Sequence, residues 1–256
     1  EDRNAKYNSG KLLKDIFKEF KKSLDSKSVF TKTEYTDKQL NEYIDNSEGN
    51  HMSYLSSPIS IIEHCLKDNE KKPLHQISSH CEECIKKVFT NMKNLVATIL
   101  ENGEFARYPR FINRITNELS HNLFMNLQLE TYEKVKEFIK VEEIYIWTDN
   151  NIFKEAFQKI LDKRTLTITP EDIRDLLSAY YQSYLQIVKH VIPKLIMFYM
   201  VNKSETKIQS TLFQSISSNT TYYELLQEEP EIEDEEIAAK VQIIWSKDFD
   251  REIEFV

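Results

Sequence analysis

The chain has 256 residues, of which 42 are acidic and 34 are lysine or arginine, so its formal net charge is −8. Only three residues are glycine, whereas ordinary domains contain about 7% glycine. This argues against α/β nucleotide-binding folds, whose phosphate loops need glycine, and the glycine-rich phosphate-binding motifs do not occur in the sequence. The acidic balance argues against nucleic acid as a partner, because such binding depends on basic surfaces that neutralise phosphates.

Amphipathic patterns predict helices throughout the first half of the chain. Apolar side chains recur every three or four residues, which is the spacing of one buried helix face. Thr36 supplies a helix N-cap, Pro58 begins a short helix, and Gly103 ends a long one. The predicted helices are residues 11–25, 37–46, 58–66 and 74–101, with a loop at 47–57 and a polar break at 67–73.

The longest helices are predicted in the second half. Pro109 begins one that runs to Trp147, and Pro170 occupies the first helical position of another that continues to Ile216. At 1.5 Å per residue, these helices would be about 55 Å and about 65 Å long. The connector between them, residues 148–169, holds a short helical piece and the strand-like sequence TLTIT.

The helix that follows Pro170 carries one continuous apolar stripe. Its members are three or four residues apart, the spacing that buries a helix against other long helices. Pro193 removes one backbone hydrogen bond and is expected to kink the helix. The predicted fold is therefore all-α, an elongated antiparallel four-helix bundle with long, kinked helices. The stripe comprises Ile173, Leu177, Tyr180, Tyr184, Ile187, Val191, Leu195 and Phe198.

Two charged segments admit two interpretations each. Five lysines of the first helix lie on roughly one side, which fits a solvated face better than a basic binding patch. Residues 228–236, EEPEIEDEE, precede an apolar pattern and suit the first turn of a last helix, where acidic side chains complement the helix dipole. An acidic binding tail is the alternative. The five lysines are Lys11, Lys14, Lys18, Lys21 and Lys22.

Signals for catalysis or metal binding are weak. The sequence HCEEC at residues 80–84, with HC at 64–65 upstream, offers zinc ligands, but its spacing is not a standard zinc pattern. Thiols that pack as small apolar groups are the better interpretation. Neighbouring carboxylates in the helix after Pro109 alternate with lysines, which favours surface ion pairs over catalysis. We therefore predict no metal site and no catalytic residue.

The sequence also bears on the compartment. Three cysteines, an odd number, indicate a reducing environment rather than a disulfide scaffold. No run of eighteen apolar residues predicts a membrane span, and no signal peptide is recognisable. Because the chain does not begin with Met, we expect a fragment or an excised domain of a cytoplasmic protein. Peripheral association with organelle membranes stays open.

Four stretches, in order along the chain, resemble the dynamin superfamily of large GTPases. The most specific parts are the YPR start and the EEIYIWTDN end of the helix after Tyr108, and VIPKLIMFYM in the longest helix. The last of these resembles the family's GTPase effector segment. GKLLKDIFKEFKKSLD and YTDKQLNEYIDNSEGN resemble earlier family segments, the first of them weakly.

The resemblance implies a dynamin-type stalk without its GTPase domain. It assigns residues 1–170 to the middle domain, 171–228 to the effector part of the stalk, and 229–256 to the C-terminal helix of a bundle signalling element. Such stalks self-assemble into dimers, tetramers or higher oligomers. They couple GTP hydrolysis in the intact protein, with GTP and Mg²⁺ as its cofactors, to membrane remodelling or fission. The fragment itself is expected to be no enzyme and to bind no cofactor, and to reach the membrane only through the full-length protein.

The sequence predicts one set of residues that pack within the stalk and a second set that form the assembly interface. An unpaired buried charge is costly, so we expect Leu195→Asp to unfold the stalk. Two alternatives remain open: an Mx-type antiviral stalk, which the short connector favours, and a helical adaptor that does not self-assemble. The residues predicted to pack within the stalk are Ile115, Leu119, Phe138, Leu177, Val191, Leu195 and Phe198. The candidate assembly interface comprises Gly49, Asn50, His51, Met52, Met197, Met200 and Lys203.

Overall fold

The computed structural model describes residues 9–25, 34–48, 58–68, 70–163 and 168–217. Every regular element within these ranges is helical and none is a strand, so the all-α prediction is confirmed. The helix predicted after residue 228, and most of TLTIT, lie outside the described residues. The α-helices are α1 (Ser9–Leu24), α2 (Asp37–Glu48), α3 (Pro58–Leu66), α4 (Ser78–Glu101), α5 (Pro109–Leu119), α6 (Met125–Ile144), α7 (Asn151–Leu161), α8 (Pro170–Ile196) and α9 (Lys203–Ser217).

Each of the three longest predicted helices consists of more than one piece. A 3₁₀ turn, Pro73–Ile77, precedes α4 and follows Lys72, whose φ of 40° is left-handed. A π-helical segment, Ser120–Phe124, joins α5 to α6, and a second, Met197–Asn202, joins α8 to α9. Such segments arise where one extra residue enters a helical turn, and they shift the helix face that follows.

The beginning of α8 is specified by local sequence. Thr169 is the N-cap and Pro170 follows at the first helical position, where its missing N–H costs nothing. The Thr169 hydroxyl accepts a hydrogen bond from the Asp172 N–H at 3.3 Å, and the Asp172 carboxylate accepts one from the Thr169 N–H at 3.0 Å. This reciprocal capping box satisfies two backbone donors that the first turn would otherwise leave without partners.

The described residues divide into two compact units. The first comprises residues 92–125 and 205–217, and the second comprises the other described residues up to 204. In the first unit, α5 buries one face at Phe111, Ile115 and Leu119. The Phe105 ring lies 5.1 Å from that of Phe111, which adds an aromatic contact to this apolar cluster.

The second unit is built around α8. Helices α1, α2, α3 and α7 all pack against it. The Tyr184 hydroxyl donates a hydrogen bond to the Leu74 carbonyl at 3.2 Å and so ties α8 to the 3₁₀ turn. The fully buried residues of α8 include Ile173, Leu176, Leu177, Tyr184, Val188, Ile192 and Ile196.

The apolar stripe predicted for α8 is correct in its first half and wrong in its second. Beyond Leu185, the buried positions of α8 and of the π segment are Val188, Ile192, Ile196 and Met200, four residues apart. Steps of four advance the buried face by about 40° per step in an α-helix, so the face winds around α8 until the π segment absorbs part of the drift. Both sets of positions are apolar, and packing against neighbouring helices selected the second set.

One helical stretch, Pro170–Ile216, is long and apolar enough by composition to cross a membrane, with a mean hydropathy of 1.2 over its best window. This is weak support for a membrane span, because the core helix of a globular protein satisfies the same criterion. Within α8, Asp172 and Arg174 are buried in polar contacts and four other helices pack against the same helix. These contacts identify α8 as a core helix.

Candidate functional site

The second half of α8 keeps an apolar side that the described residues leave partly uncovered. Ile187 is 38% exposed and Phe198 is 56% exposed, and Val191 and Leu195 between them are half-buried. We call these four residues the outer stripe. Their spacing of four, four and three residues places them along one side of the helix, which is the arrangement that packs against a second helix.

The π segment Met197–Asn202 holds the end of this stripe in place. The rings of Phe198 and Tyr199 meet edge to face, with centroids 5.0 Å apart. The Lys203 ammonium lies 4.6 Å from the centroid of the Tyr199 ring and forms an ion pair with Glu130 of α6. The π segment is thus anchored to α6 through Lys203, while Phe198 faces solvent.

The residues predicted to form an assembly interface differ in how deeply they are buried. Met200 is 0% exposed, so its assignment to an interface is corrected: the four-residue steps of α8 turn this side chain into the core. Met197 and Lys203 are half-buried, and Lys203 is engaged by Glu130. Residues 49–52, the other predicted part of the interface, lie outside the described residues.

The residues predicted to pack within the stalk also differ in burial. Ile115, Leu119 and Leu177 are buried, whereas Phe138 is half-buried. The assignment of Phe198 to internal packing is wrong, because the π turn leaves this ring exposed. Val191 and Leu195 are half-buried and belong to the outer stripe.

A buried arginine anchors the first turns of α8, and sequence reasoning missed it. The Arg174 guanidinium donates hydrogen bonds to the Tyr35 carbonyl at 3.2 and 3.1 Å, and to the Glu171 carboxylate at 2.9 Å. It also pairs with Asp37 at the start of α2. Burial alone would lower the pKa of Arg174, but its hydrogen bonds to Asp37 and Glu171 raise that pKa above its ordinary value. The charge therefore persists, and it joins α8 to α2.

Asp172 forms a second polar anchor beside the first. Its carboxylate accepts from Thr169 and pairs with Lys163, two residues beyond the end of α7. Burial alone would raise the pKa of Asp172, but the hydrogen bonds from Lys163 and Thr169 hold that pKa below its ordinary value. The other end of α7 is tied by the Asn150 amide, which donates to Gln186 at 2.9 Å.

The C-terminal part of α6 makes polar contacts that the sequence did not predict. His75 lies 2.9 Å from the Glu143 carboxylate and links the 3₁₀ turn to α6. Burial raises the pKa of Glu142, and burial together with Glu142 raises that of Tyr180. The Tyr180 hydroxyl is buried, and a backbone contact at Trp147 offsets part of the rise in its pKa.

The three cysteines are buried as separate thiols. Burial raises the pKa of Cys65, of Cys81 and of Cys84 to about 12 in each case, which suppresses the thiolate form that metals and electrophiles require. Within the described residues, no group of three or more histidine, cysteine or acidic side chains is arranged to hold a metal ion. A cavity of about 40 Å³ borders Cys84 and His80 between α1 and α4, far smaller than the several hundred Å³ of a typical organic-ligand site.

Comparison with known proteins places both halves of the chain in one family. The family described as Dynamin central region matches residues 1–162, and the one described as Dynamin GTPase effector domain matches residues 166–248. Dynamin-A of Dictyostelium discoideum is 36% identical over 73 residues, which cover 28% of this chain and 9% of that relative. The matched part is thus a small fraction of the length of that relative.

Proposed function

We propose a function on the premise that this chain belongs to the dynamin family, since the central region and the GTPase effector domain of that family match it in succession. The chain is a stalk whose task is self-assembly into dimers and larger oligomers. The observation that carries this proposal is that the two family regions follow one another along the chain. A central region and an effector domain together make up the assembling helical part of such a protein, and here they account for most of the chain.

The outer stripe supports the same proposal. An apolar row along a helix that already belongs to a packed core marks an interaction surface when it stays exposed. Aromatic and aliphatic side chains are also enriched at the centre of protein interfaces. A second copy of the chain is the natural occupant, because a two-fold pair sets the same stripe against itself and covers both copies at once.

In the intact protein, the stalk would couple the geometry of the oligomer to GTP hydrolysis by a GTPase domain, which binds GTP and Mg²⁺. The work performed would be membrane remodelling or fission, in the cytoplasm and at the surface of organelles. The membrane is then reached through the full-length protein. An Mx-type antiviral stalk shares the assembling architecture and differs in its target.

The test of self-assembly is the molar mass of the purified chain over a concentration series, measured by light scattering and sedimentation. We expect a reversible increase from monomer to dimer and then to larger species as the concentration rises. A strict monomer at the highest concentration would contradict self-assembly and favour a helical adaptor. For the intact protein, the matching measurement is whether GTP turnover per molecule rises with protein concentration.

A further inference from the structure

One face of α1 concentrates positive charge in a chain whose net charge is negative. At 100° per residue, five lysines of this helix fall within an arc of about 100°, and four of them are exposed. The first and last are separated by a rise of about 16 Å. We call this the lysine face; its members are Lys11, Lys14, Lys18, Lys21 and Lys22.

The described part of the chain does not neutralise the charge of the lysine face. Among the residues that the structure describes, no carboxylate lies within ion-pair distance of any of the five ammonium groups. Glu19, on the neighbouring side of α1, pairs instead with Lys87 of α4 at 2.8 Å, and Lys87 also holds Glu83 at 2.9 Å. Phe20 and Leu24, which carry the packing of α1, are buried. The lysine face is therefore a solvent-facing surface of fixed position.

The chain also contains the matching negative charge. Residues 228–236, which lie outside the described residues, have the sequence EEPEIEDEE, with seven carboxylates in nine positions. A nine-residue segment is about 12 Å long as a helix and about 30 Å long when extended. Either length spans most or all of the lysine face, and oppositely charged surfaces of this kind fix the register of an encounter.

We propose that the lysine face binds residues 228–236 of a second copy of this chain. The inference rests on the proposed self-assembly and names a contact within it. A two-fold pair makes the contact twice, because each copy presents both the lysine face and the acidic run. An anionic membrane is a weaker match: the net charge of −8 opposes it, and Asp15 and Glu19 border the lysine face on one side.

Charge reversal in the full chain tests the contact. One variant carries Lys14→Glu, Lys18→Glu and Lys22→Glu, and the other carries Glu231→Lys, Glu233→Lys and Glu235→Lys. We expect each variant alone to self-associate about tenfold more weakly than the parent chain at about 50 mM salt, with a smaller difference at about 300 mM salt, because salt screens exposed charges.

An equimolar mixture of the two variants is the decisive sample. In a mixed pair, the reversed lysine face meets the reversed acidic run and the two unaltered partners meet each other, so we expect the parent affinity to return. A mixture that stays as weak as its components would overturn the proposal. The matched control reverses Lys136, Lys140 and Lys159, exposed lysines of α6 and α7, and should leave self-association unchanged.

A labelled peptide EEPEIEDEE separates this contact from self-assembly as a whole. We expect it to bind the parent chain and not the variant with the reversed lysine face, while the uncharged peptide QQPQIQNQQ binds neither. Peptide binding by a chain that stays monomeric would show that the lysine face recognises the acidic sequence, but it would overturn both the second copy as its source and the proposed self-assembly. Binding of phosphatidylserine vesicles through the lysine face, with no binding of the peptide, would overturn the proposal in favour of a lipid partner.

Discussion

The two halves of α8 share one helix but differ in what surrounds them. From Pro170 to Leu185, buried residues occupy about two thirds of the helix circumference at 100° per residue, and the polar groups Asp172 and Arg174 are buried as well. From Ile187 onward, one winding face is buried and the outer stripe on another side faces solvent. The first half therefore stabilises the fold of one chain, whereas the second half both stabilises it and presents a surface.

This difference shows how a long helix can belong to a core and to an interface at once. A core position tolerates no charge, because its desolvation is not compensated. A surface position tolerates a charge in the single chain but not when a second copy covers it. Substitutions in the two halves should therefore affect different measurements, and four predictions follow from that separation, in order of decreasing effect.

The largest effect is expected for Leu177→Asp in the first half of α8. Leu177 is 0% exposed, and burying an unpaired carboxylate there should reduce the free energy of unfolding by more than about 4 kcal/mol. Far-UV circular dichroism during thermal unfolding would detect the loss. The sequence predicted that Leu195→Asp would unfold the stalk, but Leu195 is only half-buried, so this substitution should cost about 1–2 kcal/mol and leave the chain folded. Equal losses for the two variants would contradict the distinction between the halves.

The next effect is expected for Arg174→Ala. The substitution removes two hydrogen bonds to the buried Tyr35 carbonyl and the ion pair between α8 and Asp37 of α2, so we expect a loss of about 3 kcal/mol in the free energy of unfolding. Urea denaturation followed by fluorescence measures it. Arg114→Ala is the matched control, because Arg114 makes a half-exposed pair with Glu118, and such pairs contribute about 0.5 kcal/mol. A loss for Arg174→Ala no larger than for the control would refute the anchor.

The third effect concerns association instead of folding. Phe198→Asp should change the free energy of unfolding of the single chain by less than about 1 kcal/mol. Its self-association should weaken at least about tenfold, since a charge would have to be buried in the interface. Sedimentation over a concentration series measures this.

Leu129→Asp is the control for Phe198→Asp. Leu129 is 61% exposed, on the side of α6 that faces away from its buried residues Leu127, Thr131 and Val135. If both substitutions weaken association equally, the outer stripe has no special role. If neither does, the interface lies elsewhere on the chain.

The smallest effect is expected for Asp172→Asn, which alters the capping box of α8. We expect a loss of about 1 kcal/mol at neutral pH. Because the pKa of Asp172 is lowered in the folded state, its contribution is present above its ordinary value of about 4 and is lost as the pH falls through the folded value. The stability difference between parent and variant should therefore disappear in acid. A difference that persists unchanged at low pH would contradict this account.

Much of the fold could be predicted from sequence because its signals are local. Pro58, Pro109 and Pro170 each begin a helix where expected, since proline lacks the N–H that the first turn does not use. The Thr169 N-cap and its acidic partner Asp172 lie three residues apart in the chain and require no distant contact. The π segments were missed, because nothing in the local pattern separates a π turn from an α turn.

The polar anchors were missed for a related reason. Arg174 has two partners, Tyr35 and Asp37, that are more than 130 residues away in the sequence. A single sequence carries no signal that joins them. The same holds for His75 and Glu143. The family resemblance could be recognised, however, because YPR, EEIYIWTDN and VIPKLIMFYM are contiguous motifs.

The sequence by itself determined the all-α class, the helix starts, the apolar character of α8 and the dynamin resemblance, because proline, caps and periodicity act within a few residues. The tertiary structure alone decided which of two apolar sets on α8 is buried. Ile187, Val191, Leu195 and Phe198 are as apolar as Val188, Ile192, Ile196 and Met200, so hydrophobicity cannot rank them. The shape of the helices that pack against α8 decides which set is buried. It leaves the first set as the surface on which a second copy is proposed to bind.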